Sequence, residues 1–108
     1  MDIIVKKIFE ISVNGIYSNQ IIKQLNIWIM ANLEKYNKIF CETFELKEEQ
    51  LAGLQYQGVE LWDSVGHMSL IAALEDEFDI MFESDDIIDF SSYEKGKEIL
   101  KSKYDVEI

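Results

Sequence analysis

LWDSVGHMSLI, at residues 61–71, is the stretch that determines the fold. Asp63 and Ser64 are favoured at a helix start, because a short polar side chain there accepts a hydrogen bond from an unpaired backbone N–H. Apolar residues then recur at three- and four-residue steps, as on the buried face of a helix: Val65, Met68, Ile71, Leu74 and Phe78. The sequence therefore predicts a helix from about Ser64 to Phe78.

Helical patterns also occur before this stretch. Apolar residues at helical spacing predict a first helix from about Met30, with an inward stripe of Leu33, Tyr36, Phe40 and Phe44. Gly53 and Gly58 then mark a loop. Its apolar residues predict that it rests against the core: Leu54, Tyr56, Val59, Leu61 and Trp62.

Two more helices are predicted after residue 80. Ser84, followed by Asp85 and Asp86, indicates the start of a short helix that continues to Phe90. Ser91 and Glu94 have the spacing of a capping box, which predicts a last helix with Ile99, Leu100 and Tyr104 facing inward. Four helices, one of them short, with no strand pattern after Met30, predict an all-α four-helix bundle.

The first 29 residues are harder to interpret. Asn14-Gly15 suits a tight turn, so residues 8–17 are typical of a short hairpin, whereas Ile21 to Ile29 have helical spacing and could extend the first helix backwards. We divide the chain into an N-terminal extension, 1–29, and a domain, 30–108. The extension is either an amphipathic arm that docks on a partner or an upstream addition before a start at Met30, and we favour the second.

Charge restricts the classes of partner. The chain of 108 residues has a net charge of −11 with 48% hydrophobic residues, enough apolar material for one small core. Residues 30–108 carry seven Lys and nineteen acidic residues, a charge of −12, while residues 1–29 carry +1. This acidity argues against nucleic acid and anionic membrane surfaces, and it favours a monomeric protein whose partners have basic patches.

The sequence shows neither a targeting pattern nor a pair of cysteines, and we expect a cytoplasmic protein. We find no apolar run of about 20 residues that would span a bilayer, and no secretory signal pattern. Cys41 is the single cysteine, so it has no partner for an internal disulfide, and its place on the apolar side of the first helix predicts a buried, inert thiol.

Ser64 is the residue with the clearest chemical meaning. A hydroxyl at the N-terminus of a helix is well placed to carry a phosphodiester, since unpaired N–H groups and the helix dipole favour negative charge there. We find neither a G-x-S-x-G elbow around Ser64 nor a recognisable triad. His67 is the single histidine, and we expect it to be solvated.

The motif resembles that of the acyl carrier proteins. Asp63-Ser64-Val65, joined to a helix that ends ALEDEFDI at residues 73–80, is similar to the attachment motif of that family, and the resemblance extends from about Met30 to Tyr104. It implies a bundle of acyl-carrier type, with three longer helices and one short helix. It also implies that a phosphopantetheinyl transferase attaches 4′-phosphopantetheine, taken from coenzyme A, to Ser64.

The resemblance further implies a non-catalytic carrier of acyl or aminoacyl thioesters. Asp63 and Val65 would flank the attachment site, and Asp63 would also help to position the transferase or its metal. An acyl- or aminoacyl-activating ligase and downstream transferases would dock on the second helix through basic patches. The docking residues expected there are Val65, Met68, Glu75, Asp76 and Glu77.

Two departures from the fatty-acid-synthesis type suggest a specialised stand-alone carrier. Gly66 and Ser69 replace residues that are usually acidic, and Trp62 replaces a small residue. Two other functions remain open: an acidic adaptor with the carrier fold but no prosthetic group, and a small hydrolase that uses Ser64. We expect no metal site, and we interpret Asp85, Asp86 and Asp89 as a solvated acidic face.

Overall fold

The computed structural model describes the backbone of residues 19–108 and the side chains of residues 25–108. Over this range the chain forms four α-helices, α1 (Asn19–Phe44), α2 (Ser64–Phe78), α3 (Ser84–Asp89) and α4 (Tyr93–Lys103), with a single 3₁₀ turn at Glu48–Gln50. The same range contains no strand, only an isolated antiparallel bridge between Gln55 and Ser92. The prediction of a small all-α bundle is confirmed for these residues.

Helix α1 presents an aromatic face to the core. Tyr36, Phe40 and Phe44 follow one another at four-residue steps and are all buried, as the stripe predicted, while Leu33 is only half-buried. Phe40 contacts the ring of Tyr36 at a centroid distance of 4.8 Å and the ring of Tyr93, from α4, at 5.4 Å. Aromatic contacts of this kind supply both buried area and preferred edge geometry, so α1 presents an aromatic surface on which α4 packs.

Helix α1 begins before Met30, so the predicted start is wrong, and the alternative in which Ile21 to Ile29 extend the first helix backwards is confirmed. Helix α1 continues without interruption through Met30, because the helical spacing of Ile21 to Ile29 is in phase with the stripe that follows. The division of the chain at residue 29 stays a prediction about domains, although it falls inside this helix. The predicted hairpin at residues 8–17 lies outside the described residues.

The predicted bounds of α2 and the inward residues of α4 are confirmed. Helix α2 runs from Ser64 to Phe78, and Ile99 and Leu100 are buried beside a half-buried Tyr104. The predicted capping box is wrong by one residue. Ser92, not Ser91, accepts a hydrogen bond from the N–H of Lys95 at 2.9 Å. Backbone hydrogen bonds of residues 91 and 93 to the loop at 54–56 keep the chain extended up to Ser92, so the helix begins one residue later.

Helix α4 approaches α1 closely at Gly96. A Cβ at this position would lie 2.2 Å from Cζ of Phe90 and 2.3 Å from the hydroxyl of Tyr36. That hydroxyl donates a hydrogen bond of 2.7 Å to the carbonyl of Tyr93. The closeness of the two helices therefore depends on the missing side chain of Gly96.

The short helix α3 is held to the end of α4 by Asp86. This carboxylate is only 3% exposed, and it accepts hydrogen bonds from Lys103 at 2.6 Å and from the hydroxyl of Tyr104 at 2.5 Å. The Tyr104 hydroxyl also accepts from the N–H of Glu83 at 2.9 Å. Our interpretation of Asp86 as part of a solvated acidic face is wrong, because the residue is buried and hydrogen-bonded. Its partners lie 17 and 18 residues along the chain, beyond what a local pattern predicts.

Gly96→Ala should destabilise the fold, although alanine is the better helix former by about 1 kcal/mol. The new methyl group would have to displace Phe90 or Tyr36, and overpacking of this kind costs about 1–3 kcal/mol. Urea denaturation followed by circular dichroism measures the effect. Lys101→Ala, at an exposed position of the same helix, is the control and should change the free energy of unfolding by no more than about 0.5 kcal/mol. Equal midpoints for Gly96→Ala and the wild type would contradict the close packing.

The interaction of Asp86 should make stability depend on pH in the acid range. Hydrogen bonds from Lys103 and then Tyr104 hold the pKa of the Asp86 carboxyl below its usual value. The ionised group therefore stabilises the fold above its unfolded pKa of about 3.9, and this contribution is lost as the pH falls through the lower pKa of the folded state. Asp86→Asn should be less stable than the wild type at pH 6, and the difference should shrink as the pH falls below 4.

Thermal unfolding of both proteins between pH 6 and pH 2 measures that difference. Taking the difference between wild type and Asp86→Asn removes the effect of the other carboxylates on the pH dependence. Asp85→Asn, a substitution at an exposed neighbour, is the control and measures the effect of removing one surface carboxylate. A difference between wild type and Asp86→Asn that stays constant with pH would show that the charge of Asp86 contributes nothing.

Candidate functional site

Ser64 is the first residue of α2 and is exposed. Asp63 precedes it in an extended conformation, and its Oδ1 accepts a hydrogen bond of 2.8 Å from the N–H of Gly66. The predicted helix cap is therefore confirmed. The N–H groups of Ser64 and Val65 belong to the same first turn, where no preceding turn supplies acceptors. The Ser64 hydroxyl thus stands at the positive pole of a 15-residue helix, within reach of solvent.

Gly66 allows the preceding loop to cross the first turn of α2. A Cβ on Gly66 would lie 1.9 Å from the carbonyl oxygen of Leu61 and 3.2 Å from the ring of Phe44. Any larger residue would push the loop away from the helix. The presence of glycine at this position therefore has a steric cause.

Trp62 anchors this loop in the core. Its side chain is fully buried, stacked on Phe44 at a centroid distance of 5.1 Å and in edge contact with Phe40 at 5.4 Å. Of the other predicted anchors, Leu54 is buried and Val59 half-buried, but Tyr56 and Leu61 are exposed. The backbone next to Asp63 and Ser64 is consequently fixed by a large aromatic side chain that packs on α1.

The expectation that His67 is solvated is wrong. The indole N–H of Trp62 donates to Nδ1 of His67 at 3.0 Å, and Nε2 of His67 lies 2.8 Å from the carbonyl oxygen of Ile87 in α3. Sequence reasoning missed this contact, because Ile87 is 20 residues away along the chain. One indication was present: a tryptophan that is buried usually needs a partner for its N–H.

A pocket of about 250 Å³ opens between α2, α3 and the loop that precedes α2. Its walls are mostly apolar or aromatic, with the ring of His67 at one side. The lining residues are Tyr56, His67, Ile87, Ile88, Phe90 and Ser91.

The exposed side of α2 combines apolar and acidic residues. Val65 and Met68 are 74% and 52% exposed, so our assignment of both to the buried stripe is wrong, although their exposure leaves them accessible to a partner. The buried residues of α2 are Leu70, Ile71 and Leu74, so the predicted stripe is confirmed at Ile71 and Leu74.

The acidic residues at the end of α2 differ in their surroundings. Asp76 and Glu77 are exposed, whereas Glu75 is half-buried and its Oε2 accepts a hydrogen bond of 2.8 Å from the N–H of Phe82. Glu75 therefore contributes to the turn that follows α2, and Asp76 and Glu77 carry the freely exposed negative charge of this helix end.

Other candidate groups do not assemble around Ser64. Cys41 is half-buried rather than buried, and desolvation, followed by the charge of Glu48, raises the pKa of its thiol. This makes the reactive thiolate less favourable. In the described part of the chain no cluster of three or more His, Cys, Asp or Glu side chains suits a metal ion. Among the helices of residues 19–108, none is both long and apolar enough to span a bilayer.

Comparisons with protein-family models, with curated proteins and with solved structures find no match for this chain. The chemical meaning of the site is therefore argued from its own geometry. An accessible hydroxyl at a helix N-terminus, on a loop fixed by a buried tryptophan, suits the attachment of an anionic group. It suits nucleophilic catalysis less well, since both ring nitrogens of His67, the single histidine of the chain, already have partners.

Asp63→Ala should lower the free energy of unfolding by about 0.5–2 kcal/mol, because it removes the acceptor for the N–H of Gly66. Asp63→Asn is the matched control: it keeps a capping oxygen and should stay near the wild type, since Asn and Asp cap about equally well. Chemical denaturation of the three proteins at pH 7 measures both effects. Equal losses in the two variants would mean that the charge of Asp63, rather than the cap, stabilises the helix.

Proposed function

We propose that this protein is a carrier whose Ser64 hydroxyl holds a 4′-phosphopantetheine arm and which belongs with the acyl carrier proteins. The observation that carries the proposal is the position of Ser64: exposed, first in α2, and preceded by a capping aspartate. The motif at residues 61–71 and the all-α bundle around it support the same function.

The residues of the first turn of α2 fit the group. The phosphodiester would lie at the positive pole of the helix, close to the N–H groups of Ser64 and Val65, while Asp63 keeps the N–H of Gly66 occupied. When bound, the arm supplies a thiol that holds acyl or aminoacyl groups as thioesters. The protein then supplies position, recognition and reach, so it needs no catalytic side chain of its own.

Attachment is a group transfer carried out by a phosphopantetheinyl transferase. The oxygen of Ser64 forms a new bond to phosphorus, and the phosphoanhydride bond of coenzyme A breaks with release of adenosine 3′,5′-bisphosphate. The hydroxyl proton leaves to a base of the transferase. Such an enzyme requires an accessible hydroxyl on its substrate protein, and Ser64 is exposed.

The exposed side of α2 supports docking of partner enzymes. Val65 and Met68 offer apolar contact next to Ser64, and Asp76 and Glu77 offer negative charge further along the helix. The transferase, an activating ligase and downstream transferases with basic patches would use this surface. Contacts of this type set encounter rate and orientation more than affinity, and they weaken as salt increases.

Intact-mass measurement tests the proposal directly. The protein is incubated with coenzyme A, Mg²⁺ and a broad-range transferase, beside Ser64→Ala and the matched control Ser69→Ala, which removes another exposed serine of the same helix. Wild type and Ser69→Ala should gain one phosphopantetheine, and Ser64→Ala should gain none. All three should keep the same helical circular dichroism, because an exposed hydroxyl contributes little packing.

Other outcomes identify the competing functions. No mass gain with several active transferases would favour an acidic adaptor without the arm. A gain that persists in Ser64→Ala would move the attachment site. Hydrolysis of simple esters by the unmodified wild type, lost in Ser64→Ala, would indicate a hydrolase instead.

A further inference from the structure

The imidazole of His67 lies where three elements meet. Trp62 reaches it from the loop before Ser64 through a hydrogen bond of 3.0 Å to Nδ1. Ile87 reaches it from α3 through a backbone carbonyl 2.8 Å from Nε2. The ring itself belongs to the second turn of α2, so one side chain connects the loop, α2 and α3.

The partners of the ring determine its tautomer. An indole N–H only donates, so Nδ1 of His67 has to be the acceptor and carries no proton. The proton of the neutral ring is then on Nε2, which donates to the carbonyl of Ile87. A protonated imidazole has no acceptor for the indole N–H of Trp62, and the other tautomer offers the Ile87 carbonyl no donor.

The surroundings of the His67 ring fix its position. Three aromatic rings contact it, and the carbonyl of Ile87 needs a donor from outside its own helix. The Trp62 indole lies side by side with the imidazole, nearly coplanar at 14° and a centroid distance of 6.2 Å, as an in-plane N–H donor requires. Tyr56 meets the imidazole edge-on at 5.4 Å, and Phe90 at 6.0 Å. Ile87 lies near the end of a six-residue helix, where the last carbonyls have no partner within the helix. His67 supplies a donor for one of them.

We infer that His67 is a positioning residue for the modification of Ser64. It fixes the end of the loop, with Asp63, and the start of α2, with Ser64, relative to α3, so that a transferase meets a preformed surface made of these three parts. The inference rests on the proposed function, because it concerns how well Ser64 is recognised. It assigns His67 no contact with the reacting atoms.

Two variants and one control separate positioning from stability. His67→Leu fills part of the space and removes both hydrogen bonds. His67→Gln offers a side-chain oxygen for Trp62 and an amide N–H for Ile87, and it serves as the conservative rescue. Tyr36→Phe removes a different buried hydrogen bond, the one to the Tyr93 carbonyl, and so lowers stability while leaving both hydrogen bonds of His67 in place.

Steady-state kinetics of the transferase with each protein as substrate provide the first measurement. His67→Leu should raise KM up to about tenfold with kcat little changed, because part of the net free energy of the two lost hydrogen bonds is then needed to order the surface when the transferase binds. His67→Gln should recover most of the loss, and Tyr36→Phe should leave KM at the wild-type value. The inference is overturned if His67→Leu keeps the wild-type KM, or if Tyr36→Phe raises KM as much.

Nuclear magnetic resonance provides a second measurement that needs no transferase. The ¹⁵N shifts of the wild-type ring should identify a protonated Nε2 and an accepting Nδ1. His67→Leu should shift the indole N–H resonance of Trp62 and the amide resonances of both 61–65 and 84–89. If the wild type is not loaded at all, the proposed function fails, and these spectra alone decide the role of His67. Resonance shifts confined to α2 would then contradict a connection by His67 between the loop and α3.

Discussion

The arrangement around Ser64 depends on the burial of Trp62 against the aromatic face of α1. A fully buried indole contacts Phe40 and Phe44 on one element and gives its N–H to His67 on another. Because the same residue lies next to Asp63, the position of the helix start is set by the core and not by the surface. The end of the loop that leads into α2 is thereby held twice, by the packing of Trp62 and by the cap of Asp63.

The steric requirements of this part of the chain reinforce one another. Gly66 lets the Leu61 carbonyl approach α2, which in turn allows Trp62 to enter the core immediately before the helix begins. In the other half of the bundle, Gly96 lets α4 approach the hydroxyl of Tyr36. In both places a missing side chain determines how close two segments come, and a polar group occupies the space that a Cβ would need.

Local sequence patterns predicted the elements well. The bounds of α2 follow from a capping aspartate and an apolar repeat, both of which act within a few residues, and the aromatic stripe of α1 has the same local origin. The errors have non-local causes. Val65 and Met68 follow the helical spacing, but nothing local to α2 determines which neighbouring element covers a given side, and both are exposed. The cap of α4 is Ser92 because residues 91 and 93 are hydrogen-bonded to the loop at 54–56, which keeps the chain extended up to Ser92.

The candidate site divides in the same way. The position and exposure of Ser64 follow from the residues next to it, whereas the roles of His67 and Asp86 depend on partners 17–20 residues distant. The spacing of residue types along the sequence does not show which backbone carbonyl will accept a hydrogen bond from His67. Such contacts become visible only once the packing of α3 against α2 and α4 is known.

The burial of Trp62 also has an optical consequence. The chain has two tryptophans, and the other, Trp28 on α1, is 42% exposed. Indoles in such different surroundings fluoresce at different wavelengths, longer for the solvated ring and shorter for the enclosed one. With Trp28 replaced by phenylalanine, all tryptophan emission would come from Trp62, two residues before Ser64. The fluorescence of the protein would then report on that loop without any added dye.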